Sequence, residues 1–470
     1  IMKKFIVVMF VFASSVMNAA WEKTFGGEGN DYGNAIKQTL DGGLIIAGAS
    51  ASFGSVSAKI TKGWLIKLDE SGNMEWEYSF GSYDKKDGFN SVELTEDGGY
   101  IVGGYTQDLK MWLVKFDEEG TVQWDSVYND NLASSINDVE SVQDGGYIIV
   151  GSGKYNIIKC DKSGNWNLFA KHGWVIYDIQ RMKDGGYVLV GEIIGIPQEF
   201  GYTPSPFIMK IGADGNTIWD NPYKKEDLGR FVSVTETTDG GLVVTGVKIT
   251  KVDEHLFTNQ LVVTRFDNIG RVEWEQLGVV HSGGFAVELD GEDYIVAGNT
   301  PGIDGCPDNY IARIGNDGIV KWDTAYGGDK YDYPSDMLIE KNGSIVIVGQ
   351  TESSGEGFYD LQVVKIDPPV NPSPVENINY QSPNKSVLNS PNPFSISTTI
   401  SANCDAVNPD NIRMDVYSQT GKLIASYKGF YGSEGNYTRT INSNGLLPGA
   451  YYYKVKVGNR ELMGRMILQK

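Results

Sequence analysis

Residues 97–128 read DGGYIVGGYTQDLKMWLVKFDEEGTVQWDSVY, and the fold follows from this stretch. An Asp-Gly-Gly turn opens it, and the apolar run Tyr100–Gly104 follows. A second apolar run, WLVKFD (112–117), leads to a turn at Gly120 and then to Trp124 and Tyr128. On a strand those two rings, four residues apart, share one face. Asp-Gly between apolar runs signals a tight hairpin, because the turn needs a positive φ that Gly adopts at little cost.

The unit recurs along the chain. Apolar runs ending in Gly stand at Leu44–Gly48, Tyr100–Gly104, Tyr147–Gly151, Tyr187–Gly191, Leu242–Gly246, Tyr294–Gly298 and Ile345–Gly349. A second strand follows each run and carries a basic residue near its end: Lys67, Lys115, Lys159, Lys210, Arg265, Arg313 and Lys365. Turn glycines at 72, 120, 164, 215, 270 and 318 precede Trp76, Trp124, Leu168, Trp219, Trp274 and Trp322 by four residues. Each unit therefore offers four short strands with both faces apolar. Radial stacking buries both faces, so the expectation is an all-β, closed seven-bladed β-propeller over 21–367.

The seventh unit runs into prolines after Asp367 and lacks its Trp strand. The missing piece stands at Trp21-Glu22-Lys23-Thr24-Phe25-Gly26-Gly27, which matches Trp322–Gly328 at the Trp, the aromatic and both glycines. The N-terminal strand is therefore expected beside 362–367, closing the ring. The Asp-x-x-Gly-x-x-x-Trp element resembles the tryptophan-docking repeat of quinoprotein-like propellers, and the glycine-ended runs resemble Kelch blades. The resemblance implies a fold and little about activity, since propellers host many functions.

Lys3 and Lys4, the apolar run Phe5–Ala13 and the small residues Ala19 and Ala20 have the layout of a signal peptide, expected over 1–20. Residues 368–385 are Pro-rich and read as a linker. Residues 386–470 read as a small Ig-like β-sandwich. Here Pro391, Asn392, Pro393 and Phe394 are followed by Gly421 in Thr420–Ile424 and by Gly449 and Tyr451 in Leu447–Tyr452. These pieces resemble the C-terminal sorting domain of type IX secretion cargo. The resemblance implies passage through the periplasm, contact with the type IX machinery, and a secreted or outer-surface destination.

Of the net charge of −20, the stretch 386–470 carries +4, which leaves −24 on 1–385. Such a surface repels phosphate backbones and excludes nucleic acid as a partner. The three cysteines (Cys160, Cys306, Cys404) form no scaffold or zinc spacing, and Cys160 sits at a core position of the repeat. Three histidines, His172, His255 and His281, all fall in expected loops.

No Gly-x-Ser-x-Gly, His-Glu-x-x-His or P-loop pattern occurs. The chain thus reads as a monomeric binding or adhesion protein, not an enzyme, with no cofactor and no metal. A glycan or a surface protein is the expected ligand. Acidic residues recur at two registers before the first strands: Asp31, Asp87 and Asp332 at one, Asp138, Asp178 and Asp336 at the other. Carboxylates lining the axial channel keep a rival reading open, a secreted polysaccharide lyase or hydrolase. A quinone-dependent dehydrogenase has only the Trp repeat in its favour.

Short uniform hairpins are expected on one face of the ring. The other face should collect the longer connections 49–63, 192–206, 247–261, 299–309 and 350–361. Variable loops on a rigid scaffold carry recognition, so Asp31, Asp87, Trp174, Asp332 and Tyr333 are the candidate ligand-binding residues.

Overall fold

The computed structural model describes residues 19–367 and 386–468, apart from 54–59, 83, 129–133, 143, 154–155, 171–173, 194–203, 223–227, 252–256, 303–305, 391–396, 404–411, 419–422, 434–435, 444–445, 447–448 and 458–459. The expected linker 368–385 and nearly all of the expected signal peptide lie outside these residues. The described chain is all-β, arranged as nine four-stranded antiparallel sheets in two compact units. Seven sheets belong to the first unit and two, formed by 386–468, to the second.

Sheets 1 to 6 span 31–80, 88–128, 136–170, 175–222, 228–280 and 283–326, each taking its strands in chain order. Sheet 7 takes three strands from 332–366 and its fourth from Ala19–Phe25. That strand runs antiparallel to Asp360–Ile366, with Trp21 opposite Lys365 and Phe25 opposite Leu361. The expected pairing of the N-terminal strand is therefore present. The first strand of each sheet packs on the first strand of the next, and that of sheet 7 packs on sheet 1 as well as sheet 6.

Three local devices repeat from sheet to sheet. The first is a bulge in every first strand, for example between Gly33 and Ala35 and between Phe89 and Ser91. The bulge pushes a carbonyl toward the glycine that ends the apolar run. A Cβ at Gly48 would lie 1.9 Å from the Tyr32 oxygen, and one at Gly104 would lie 2.0 Å from the Gly88 oxygen. That close approach is why every run ends in Gly.

The second device docks the fourth-strand Trp of one sheet beneath the turn glycine of the next. Trp76 meets Gly120, Trp124 meets Gly164, Trp219 meets Gly270 and Trp274 meets Gly318. Trp21 of sheet 7 meets Gly72 of sheet 1 in the same way.

The third device pairs the basic residue with the hairpin. Lys67 lies 3.0 Å from Asp41, Lys115 2.9 Å from Asp97, Lys159 2.7 Å from Asp144 and Lys210 2.5 Å from Asp184. Arg265, Arg313 and Lys365 pair with Asp239, Asp293 and Glu340 at 2.5, 2.7 and 2.7 Å. A cation between apolar sheets needs such a partner. The hairpin glycines hold positive φ in all seven sheets, from 68° at Gly291 to 87° at Gly42 and Gly185.

The apolar cores lie between sheets. Ala35, Ile45 and Leu65 of sheet 1 pack with Phe89, Tyr100 and Phe116 of sheet 2. The opposite face of sheet 1 packs Ile36, Leu44 and Trp64 against Val346 and Leu361 of sheet 7. Cys160 is buried in the core between sheets 2 and 3, and that burial pushes its thiol up to about 12.

Two expected connections are shorter than the sequence suggested. In sheet 5 the strands run on through Leu242–Lys251 and Phe257–Phe266, so most of 247–261 is strand. In sheet 6 they reach Pro301 and resume at Pro307. The polar residues there, such as Lys248 and Gln260, pair across the ladder instead of looping out.

Candidate functional site

The segments that link one sheet to the next converge with the second-to-third connections at one end of the strands, opposite the hairpins. Three of the expected binding residues lie there, and all three hold the links in place. Asp31 is fully buried and accepts hydrogen bonds from Gly27 N (3.0 Å), Ser50 Oγ (2.5 Å) and Ser52 Oγ (2.5 Å). Asp332, also fully buried, accepts from Gly328 N (2.9 Å) and Ser353 Oγ (2.8 Å). Asp87 accepts from Ser82 N (2.7 Å) and Gln107 N (3.0 Å). Each carboxylate thus ties a link to its own sheet. A neighbour that the sequence did not single out, Asp360, accepts from Gly357 N at 2.9 Å. Burial first, and Asp31 beside it, push its carboxyl up.

Tyr333 follows Asp332 out of the core and joins an aromatic cluster. Its ring stacks on Tyr331, with centroids 6.1 Å apart and planes 18° apart. Tyr32 and Tyr359 lie 5.9 Å apart, and Phe358 packs on Tyr359 at 5.5 Å. Tyr359 is within electrostatic range of Tyr333 and donates its hydroxyl to Glu352. Phe358 is 68% exposed and Tyr331 42% exposed, so the cluster faces solvent. Trp174 stands apart from it. Its ring packs on Phe207 of its own sheet at 4.6 Å, and its carbonyl accepts from Asn156 Nδ2 at 2.6 Å.

A polar cleft of about 320 Å³ opens at the same end, between the link 81–87 and the connection 106–110. Asp87, Gln107, Lys85, Lys110, Trp112 and Asp125 line it. Trp112 Nε1 donates to Asp125 at 3.2 Å, which sets the ring at the cleft wall.

A second group of acids lines the inner strands, just past the bulges. Asp138 accepts from Ser91 Oγ of the preceding sheet (2.7 Å) and from Ile179 N of the following one (3.1 Å). Asp178 accepts from Val234 N (2.7 Å) and Asp336 from Ile36 N (2.9 Å). These three therefore stitch adjacent sheets. Lys37 reaches Glu93 of the next sheet at 3.0 Å. Burial pushes Asp336 up to about 6 and Glu288 to about 7. Burial, with Glu93 and Asp138 adding repulsion, pushes Glu140 to about 8. Asp178 is raised well above the carboxylate range by burial and by Asp138.

His281 sits exposed in a turn at φ 66°, while His172 and His255 lie outside the described residues. No cluster of three or more metal-ligating side chains occurs among the described residues.

In the second unit, Ile400, Ile412, Met414, Val416, Tyr453 and Met466 form the core between the two sheets. Gly449 opens the strand 449–457 opposite Leu468, and Tyr451 is buried. Pro391, Asn392, Pro393, Phe394 and Gly421 lie outside the described residues. Residues 390–469 match the family described as the secretion system C-terminal sorting domain. The tail is a type IX sorting domain. A sorting domain of this kind implies contact with the type IX machinery and a secreted or outer-surface destination.

No curated protein matches the chain. Among solved structures, a protein of unknown function from Bacteroides caccae is similar at 10% identity and a TM-score of 0.37, over 55% of this chain and 93% of that one. A fungal alcohol oxidase in complex with copper is similar at 12% identity and a TM-score of 0.46, over 97% and 100% of the two chains. Sqt1 of Chaetomium thermophilum is similar at 13% identity and a TM-score of 0.42, over 73% and 97%.

Proposed function

We propose that this protein is an exported seven-bladed β-propeller whose link end is a binding platform for a glycan or a protein. In this reading residues 1–20 are a cleaved signal peptide, 21–367 the propeller, 368–385 a linker and 386–470 the sorting domain. The observation that carries the binding function is the solvent-facing cluster of Tyr32, Tyr331, Tyr333, Phe358 and Tyr359. Aromatic rings exposed together on a rigid scaffold suit recognition, because they bring contact area at little entropic cost. The carboxylates beneath them, Asp31 and Asp332, serve by holding the links that present those rings. Trp174 would extend the platform on the far side of the ring.

A second reading has its own support in the raised carboxyls of Glu140, Glu288 and Asp336. Acids poised near neutrality suit proton transfer to a glycosidic oxygen. Glycan-array binding run beside turnover assays on polysaccharides separates the two. Binding without turnover supports the platform. Turnover lost in Glu140→Gln supports the enzyme. Deleting 386–470 tests the export route: the truncated protein should accumulate in the periplasm, and normal surface delivery would overturn it.

A further inference from the structure

The aromatic cluster and the polar cleft open at the same end of neighbouring sheets. Tyr331 stacks on Tyr333, Tyr333 neighbours Tyr359, and Tyr359 meets Tyr32 at 5.9 Å. Tyr105 ends the second strand of sheet 2, the sheet that packs on sheet 1. The ring of Tyr105 lies against Gly88, and the next residues, Thr106 and Gln107, line the cleft. Four tyrosines of sheets 7 and 1 thus form a row, and the polar cleft of the next sheet lies at the same end.

We propose that this track and cleft bind one linear, neutral glycan chain, with successive sugars stacked on the tyrosines and one sugar seated in the cleft. The proposal rests on the link end being the binding platform and names its ligand class and its subsites. A row of tyrosines fits sugar rings better than a folded protein surface. A tyrosine ring offers its face to the C–H face of a pyranose, while polar groups at its edge bond to the sugar hydroxyls. The cleft supplies donors and acceptors of both signs: Lys85 donates, Asp125 accepts, and the Gln107 amide does both. Its lysines and aspartates nearly cancel, which suits a neutral sugar over a uronate or sulfated one.

The test uses the full-length mature protein. Affinities are measured calorimetrically for β-linked gluco-, xylo- and manno-oligosaccharides, from disaccharides to octasaccharides. Two variants are compared with the unchanged protein: a track variant, Tyr331→Ala with Tyr333→Ala, and a cleft variant, Lys85→Ala with Gln107→Ala. Tyr331 and Gln107 are exposed and Tyr333 and Lys85 partly so, and unchanged melting temperatures establish that the variants fold. In at least one series affinity should rise with chain length. The track variant should abolish that rise, losing about tenfold for the octasaccharide and almost nothing for the disaccharide. The cleft variant should lose about tenfold at every length. A bound series whose affinity ignores length, or is indifferent to both variants, overturns the track and leaves the platform standing. Binding only to uronate or sulfated chains overturns the neutral-ligand assignment. No glycan bound, with a surface protein captured through the same end, overturns the glycan ligand altogether.

Discussion

The two ends of the sheets obey different rules. At the hairpin end all seven sheets carry the same construction: a glycine at positive φ, and a cation held by a carboxylate of its own sheet. At the link end the sheets diverge. Asp31 and Asp332 latch their links almost identically, Asp87 does so with other donors, and aromatic residues crowd the sheet 7–sheet 1 side. Uniformity marks what each sheet needs in order to pack. Divergence marks where the chain is free to present something to the outside.

The sharpest test of the packing side is removal of residues 19–25. Sheet 7 would lose its outer strand and sheet 1 the Trp21 ring beneath Gly72. Urea unfolding should show a loss of about 4 kcal/mol or more, and an unchanged midpoint would break the account of that strand's packing.

Next come two glycines of the same unit type. Gly104→Ala places a Cβ 2.0 Å from a backbone oxygen, whereas Gly145→Ala meets nothing within 4 Å and suffers only from its φ of 79°. The first should cost about 3 kcal/mol and the second about 1 kcal/mol. Equal costs would mean that turn conformation, not the bulge contact, explains the repeated glycines.

At the hairpin end, Lys115 donates to Asp97 and to the Phe116 carbonyl at 2.8 Å. Lys115→Met should cost about 1–2 kcal/mol by leaving that carbonyl unpaired. Asp97→Asn, at an exposed carboxylate, should cost about 0.5 kcal/mol.

The inner acids and the hairpin acids should respond oppositely to pH. Asp239 is held down to about 2, first by the Thr237 hydroxyl and then, against its burial, by Arg265. Its stabilising contribution is complete above the ordinary carboxyl range and is lost as pH falls through about 2. Glu140 is raised to about 8, so its contribution is complete below the ordinary range and is lost as pH rises through about 8. Melting temperature should therefore decline between mildly acidic and mildly alkaline pH. Glu140→Gln should flatten that decline and gain about 2 °C at its alkaline end. A decline of the same slope in the variant would remove Glu140 from the account. The smallest expected effect is that of Tyr331→Ala on stability, within about 0.5 kcal/mol for an exposed ring.

The repeat made the sheets legible. Alternating turn glycines and apolar runs specify four-stranded hairpin units by local rules, and the orphan Trp21 segment announced its own partner strand. The regular basic residue of each unit was legible too, and its pairing follows because a buried cation requires a carboxylate within reach. The sorting motif was legible for the same reason: it is a contiguous signature.

The site was harder to read, because its residues become neighbours only where sheet 7 packs on sheet 1. Tyr32 and Tyr359 touch although most of the first unit separates them in sequence, and Tyr333 joins them from a different link. Asp31, Asp87 and Asp332 looked like ligand groups because nothing local reveals that their partners are the chain's own amides and serines. By itself the sequence determined the strands, the turns, the charge pairs and the exported tail, each set by steric or electrostatic needs within one unit. Only the tertiary structure decided which carboxylates were consumed as latches and which aromatic rings reached solvent together, because both depend on how separate sheets pack on one another.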